Sequence, residues 1–83
     1  MKSREYAIII EKSRNGYGAY APDLPGCAAV GRTKRETVTL LRQAIVMHLK
    51  GMMEDGETIP EPSTSAGSVR VALPTLSRRR AAG

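Results

Sequence analysis

Three consecutive isoleucines, Ile8-Ile9-Ile10, stand inside the run Glu5-Tyr6-Ala7-Ile8-Ile9-Ile10-Glu11. β-Branched apolar residues at this density predict a strand, and because successive strand side chains point to opposite faces, it places large apolar groups on both sides of its sheet. Ser13-Arg14-Asn15-Gly16 predicts a hairpin turn in which Asn15-Gly16 takes positive φ values. A second strand follows over residues 17–21, with Tyr17, Ala19 and Ala21 on one face and Gly18 and Tyr20 on the other. Leu24-Pro25-Gly26-Cys27 then reads as a type II turn, in which Pro25 presets φ and Gly26 supplies the positive φ of the next position. Asp23 is expected to brace this turn through its own backbone amides. Residues 27–30 form a short third strand, which completes a three-stranded antiparallel meander.

The period then changes from two to 3.6. Thr33-Lys34-Arg35-Glu36 fits a capping box, with the Thr33 hydroxyl accepting from the Glu36 amide and the Glu36 carboxylate reaching back to Thr33. Val38, Leu41, Ala44, Ile45, His48, Leu49 and Met52 recur at steps of three and four, the spacing of one face of a long helix that covers the sheet. Leu40 and Met47 lie one step round and widen this stripe beyond what one contact needs. Asp55-Gly56 ends the helix, with Gly56 suited to the left-handed C′ position. Residues 59–67, rich in Pro and Ser, read as an extended connector crossing the molecule. Residues 68–73 alternate again, with Val69, Val71 and Leu73 in one row, and predict a fourth, edge strand. The order is β-β-β-α-β, an α+β fold that shares its arrangement with part of the RNase H fold.

Composition changes this picture in two places. The chain of 83 residues has no Phe or Trp, three Tyr and four Met, so a single copy commands a poor core and gains from burying a second surface in an oligomer. The net charge of +5 is unevenly placed. Residues 1–62 carry nine Lys or Arg against all eight acids, whereas residues 63–83 carry Arg70, Arg78, Arg79 and Arg80 and no acid. The boundary of the folded unit is therefore expected near residue 74, with residues 75–83 a basic, disordered tail. Its Arg78-Arg79-Arg80 triplet reads first as a solubilising end and second as a candidate for weak, salt-dependent phosphate contact. One cysteine excludes an internal disulfide and fits a reducing cytoplasm. No apolar run approaches the roughly 18 residues of a membrane span.

Reactive constellations are lacking. Glu11 closes a strand, Glu36 serves the cap, and Arg70 stands where a nuclease of this strand order would want an acid, so the carboxylates do not converge as two-metal hydrolysis requires. His48 has Ala44 and Met52 as its helical neighbours, which suits a packing or interface histidine better than a catalytic one. Cys27 reads as a small core residue without a charged neighbour to make a thiolate. Tyr17 and Tyr20 project to opposite faces and form no shared platform for bases. No enzyme activity, metal or cofactor is expected, and no specific nucleic acid.

Gly16-Tyr17, Pro22-Asp23-Leu24-Pro25-Gly26-Cys27, His48-Leu49, and Asp55-Gly56 through Pro60-Glu61-Pro62 together resemble the HicB-like antitoxin family over residues 4–74. The resemblance implies a small prokaryotic protein that binds and silences a basic, RNA-cleaving HicA-type toxin. Two departures stand out. Many members continue into a ribbon-helix-helix or helix-turn-helix domain, and this chain ends about ten residues after its expected fourth strand. Members usually carry acidic residues where this chain has Arg32, Lys34 and Arg35, and basic residues there would slow encounter with a basic toxin.

The expected function is thus that of an antitoxin-like module that occludes a toxin by binding. The alternative is a stand-alone oligomeric scaffold or small-ligand binder. Asp23, Leu24, Pro25, Gly26 and Cys27 form the structural turn motif. Ile9, Tyr20, Ala28, Val30, Leu40, Met47 and His48 are the candidate interface for a partner or for a dimer or tetramer. The uncharged 27–30 edge is a further place for copies to pair.

Overall fold

Lys12 pairs with Tyr17 and Ile9 with Tyr20, so β1 (Ile9–Lys12) and β2 (Tyr17–Tyr20) form an antiparallel hairpin around the loop 13–16. β2 continues this pattern against β3 (Ala28–Gly31), with Tyr20 opposite Ala28 and Tyr17 opposite Gly31. One long helix, α1 (Lys34–Glu54), packs against β3 and β2. This computed structural model describes residues 2–76. The three-stranded meander and single helix agree with the α+β class read from the sequence.

The hairpin reaches its turn by a route other than the one its sequence suggests. The only positive φ values among the described residues are at Gly26 (91°) and Gly56 (73°), so Asn15 and Gly16 do not form the primed turn expected of Asn-Gly. A four-residue loop closes instead, with the Ser13 amide donating to the Gly16 carbonyl at 2.8 Å. Gly16 is required for a different reason, since a Cβ there would overlap the Gly31 carbonyl oxygen. The first strand is also shorter than residues 5–11. β2 stops at Tyr20, opposite Ile9, so the backbone before Ile9 has no strand to pair with.

The helix forms where its caps place it. The Glu36 amide donates to Thr33 Oγ1 at 3.0 Å, while the Glu36 carboxylate accepts from the Arg32 amide at 2.8 Å, one residue earlier than a strict capping box. Thr37 follows, fully buried, its hydroxyl donating to the Thr33 carbonyl at 2.8 Å. At the other end the Glu57 amide donates to the Met52 carbonyl and the Gly56 amide to the Met53 carbonyl, a Schellman motif with Gly56 in the left-handed position.

The core is small. Ala19, Ala21, Leu24, Cys27 and Leu41 are buried, and Tyr6, Ile8, Ile10, Ala29, Ile45 and Leu49 pack round them. The even-numbered side chains of the first strand thus turn toward the helix and Ile9 turns away, as the alternation requires.

Residues 68–73 do not form the expected fourth strand in the single chain. They belong to no strand and pair with nothing among the described residues, and Val69, Val71 and Leu73 are 85%, 70% and 89% exposed. The physical reason lies upstream, where the connector is pinned in a direction that carries these residues away from their own sheet.

Candidate partner-binding surfaces

The turn motif is built as its residue types dictate. The Cys27 amide donates to the Leu24 carbonyl at 3.0 Å, and Gly26 between them takes the positive φ. Leu24 is completely buried beneath the turn, and Cys27 is a buried free thiol whose pKa is raised by that burial. Asp23 does not brace the turn through local amides as expected; its carboxylate reaches the connector instead. Its Oδ2 accepts from the backbone amides of Ser63 (2.8 Å) and Thr64 (3.0 Å), and its Oδ1 accepts from the Ser63 (2.9 Å) and Thr64 (2.7 Å) hydroxyls. The Ser63 amide bond, followed by those of Thr64, holds the Asp23 carboxyl well below the usual carboxylate range.

A second anchor precedes this one. Arg4 donates to the Ile59 and Pro60 carbonyls at 3.0 and 3.2 Å and pairs with Glu61 at 3.0 Å, and the Tyr6 hydroxyl donates to the Pro60 carbonyl at 2.6 Å. The connector therefore passes the segment leading into β1 first and reaches the β2–β3 connection at Asp23 afterwards. The sequence predicts the crossing but not its ties, because Asp23 and Thr64 lie 41 residues apart with no periodic signal to join them.

All the candidate interface residues but His48 fall on two separate surfaces. Ile9, Tyr20 and Ala28 are in register across the three strands, and Val30 lies on the same face, away from the helix. Tyr20 is 42% exposed and Val30 77%. Leu40 and Met47, 40% and 73% exposed, occupy a flank of α1 on the far side of the sheet. His48 is half-buried on the Leu41 side of the helix and joins neither surface. Arg78, Arg79 and Arg80 lie outside the described residues.

A third surface has no counterpart in the sequence reading. On the flank of α1 opposite Leu40 and Met47, a groove of about 670 Å³ opens between the helix and the unpaired segment before β1. Tyr6, Ile8, Val38, Ile45, Val46 and Leu49 line it. The helical period marks Val38 and Ile45 as apolar, but it cannot show that the sheet ends before covering them. Among the described residues, no group of three His, Cys, Asp or Glu side chains is placed to hold a metal ion, and no helix is long and apolar enough to cross a membrane.

The profile described as the HicB_like antitoxin of bacterial toxin-antitoxin system matches residues 6–72, a span holding the strands, the helix and the connector. The chain belongs to the HicB-like antitoxin family. A family relative, antitoxin HicB 2 of Photorhabdus laumondii, is 30% identical over 73 residues, covering 88% of this chain and 52% of its own. An uncharacterized 14.9 kDa protein from the rep-hol intergenic region of Haemophilus phage HP1 is 43% identical over 56 residues, which cover 68% of this chain. The matched part is 42% of the phage protein, so the chain spans about half or less of each of these two relatives. Among solved structures, a chain of a HicA3 and HicB3 toxin-antitoxin complex superposes with a TM-score of 0.61 at 30% identity, covering 72% of this chain and 70% of that one. The HicB-like resemblance of the Pro-Asp-Leu-Pro-Gly-Cys stretch is thereby established at the level of family.

Proposed function

We propose that this protein is an antitoxin that binds an RNA-cleaving HicA-type toxin and occludes it, without chemistry of its own. The observation that carries this reading is the likeness at 30% identity to a chain of a toxin-antitoxin complex. Two apolar surfaces support it, the sheet face of Ile9, Tyr20 and Val30 and the helix flank of Leu40 and Met47. Surfaces of this kind gain by being covered. The protein acts in the cytoplasm as a homo-oligomer, a dimer or tetramer, because a core of five buried side chains leaves much of the remaining apolar area to be buried between copies.

The toxin to test is the one encoded next to this protein's own gene. Titrating the purified chain into that toxin is expected to protect RNA from cleavage with a stoichiometric end point. Full cleavage at excess antitoxin, with no complex at micromolar concentration, would overturn the proposal.

One observation favours a second reading, a scaffold or small-ligand binder that works without a toxin. Arg32, Lys34 and Arg35 are exposed around the helix N-terminus, where they repel a basic partner and oppose the helix dipole. A gene with no toxin-sized neighbour, together with a dimer that captures no protein partner, is the result this reading expects.

A further inference from the structure

Two features of this chain are each unfinished and match one another. The first is the groove beside β1. β1 is an edge strand, and the backbone of residues 5–8 leading into it carries no ladder, so unpaired amides and carbonyls border an apolar trough walled by Ile8, Val38, Ile45 and Val46. The second is the arm beyond Thr64. Residues 65–76 lie outside every element, alternate apolar and polar at 68–73, and hold Val69, Val71 and Leu73 in water. An open strand edge with an apolar floor is what an extended, alternating segment recognises. Backbone bonds along the edge give affinity, and one row of side chains fills the floor.

The arm is not directed into its own groove. The connector meets Arg4 and Tyr6 on the β1 side first and is then clamped at Asp23 in the β2–β3 connection, so it leaves the body moving away from the β1 edge. The shape of the chain agrees. Its radius of gyration is 18.7 Å and its longest extent 63 Å, against a radius of about 12 Å for a compact chain of this length. Twelve extended residues reach roughly 40 Å, enough to cross to a neighbouring molecule.

We infer that the occupant of the groove is the arm of a second copy, with Val69, Val71 and Leu73 of one protomer seated against the β1 edge and helix flank of the other, reciprocally. A two-fold exchange uses both arms and both grooves and leaves no free edge at β1. It supplies in trans the strand that residues 68–73 do not make in cis. The inference rests on the homo-oligomer part of the proposed function and adds the contact that builds the oligomer.

The test uses two full-length variants, Val71→Glu in the arm and Val46→Glu in the groove, and sedimentation at micromolar concentration. Both positions are more than half exposed in the single chain, so both variants keep the helical circular dichroism of the wild type. The wild type is expected at twice 9.0 kDa or a higher even multiple, and each variant alone at 9.0 kDa. Mixing the two restores a dimer, since the Val71→Glu chain offers an intact groove to the intact arm of the other. Variants that assemble like the wild type, or a mixture that stays at 9.0 kDa, would overturn arm exchange and leave the oligomer reading standing. A wild type at 9.0 kDa would overturn both.

Discussion

Asp23 and Thr64 are joined twice, the Thr64 amide donating to Oδ2 at 3.0 Å and the Thr64 hydroxyl to Oδ1 at 2.7 Å. Both bonds need the carboxylate as an acceptor, so the link between turn and connector depends on its ionisation. Because the folded pKa lies below the unfolded value of about 3.9, the stabilisation is fully present above that value and is lost as pH falls through the folded one. Protection factors of the Ser63 and Thr64 amides, their exchange rates set against the intrinsic rate at each pH, are expected to be high at neutral pH and to fall progressively below about pH 4. In Asp23→Ala, which removes both acceptor oxygens, protection should be low at every pH. Equal protection in the variant and the parent would show that the clamp is not what holds the connector.

Leu24 and Leu41 are the largest apolar side chains buried completely among the described residues, at 0% and 1% exposure. Truncating either to Ala removes transfer energy and leaves a cavity, a loss of about 2–5 kcal/mol in urea unfolding. A chain with so few buried residues is expected to lose most of its folded population. A cost below about 1 kcal/mol would mean that the turn does not anchor the core.

Glycine-to-alanine changes should differ in sign with position. Gly51 lies inside α1 with open space where a Cβ would go, and Gly51→Ala is expected to stabilise by about 1 kcal/mol. At Gly31 a Cβ would stand 2.7 Å from Thr37 Oγ1 and 2.8 Å from Glu36 Oε1, so Gly31→Ala is expected to destabilise by about 1–3 kcal/mol. Thermal unfolding of the two variants beside the parent decides both.

Tyr20 stands 42% exposed on the sheet face away from the helix, and the proposed function makes it a contact for the toxin. Tyr20→Lys should shift stability by about 0.5 kcal/mol or less and yet weaken the toxin complex by roughly tenfold or more. Calorimetric titration of toxin into the variant measures the second effect. Unchanged affinity would move the contact to the helix flank of Leu40 and Met47.

Local chemistry made the meander, the turn at Gly26, the helix and its two caps legible in the sequence, because each is specified by residues within about six positions of one another. The Asn15-Gly16 loop departs from expectation since Gly16 answers a contact with Gly31, which no local rule contains. Residues 68–73 show the converse. Their alternation encodes strand chemistry faithfully, but alternation carries no information about which edge is within reach. The interface set was legible as exposed apolar residues and illegible as geometry, for the division into a sheet face and a helix flank appears only with the register.

The meeting of Gly16, Gly31 and Thr37 also bears on the order of folding. These residues close loops of short sequence separation, which form early because their entropic cost is small, and they gather the hairpin, the third strand and the first helical turn at one point. The Asp23 clamp closes a much longer loop, to Ser63 and Thr64. The sheet and helix are thus expected to be in place before the connector is tied down across a separation of 40 residues.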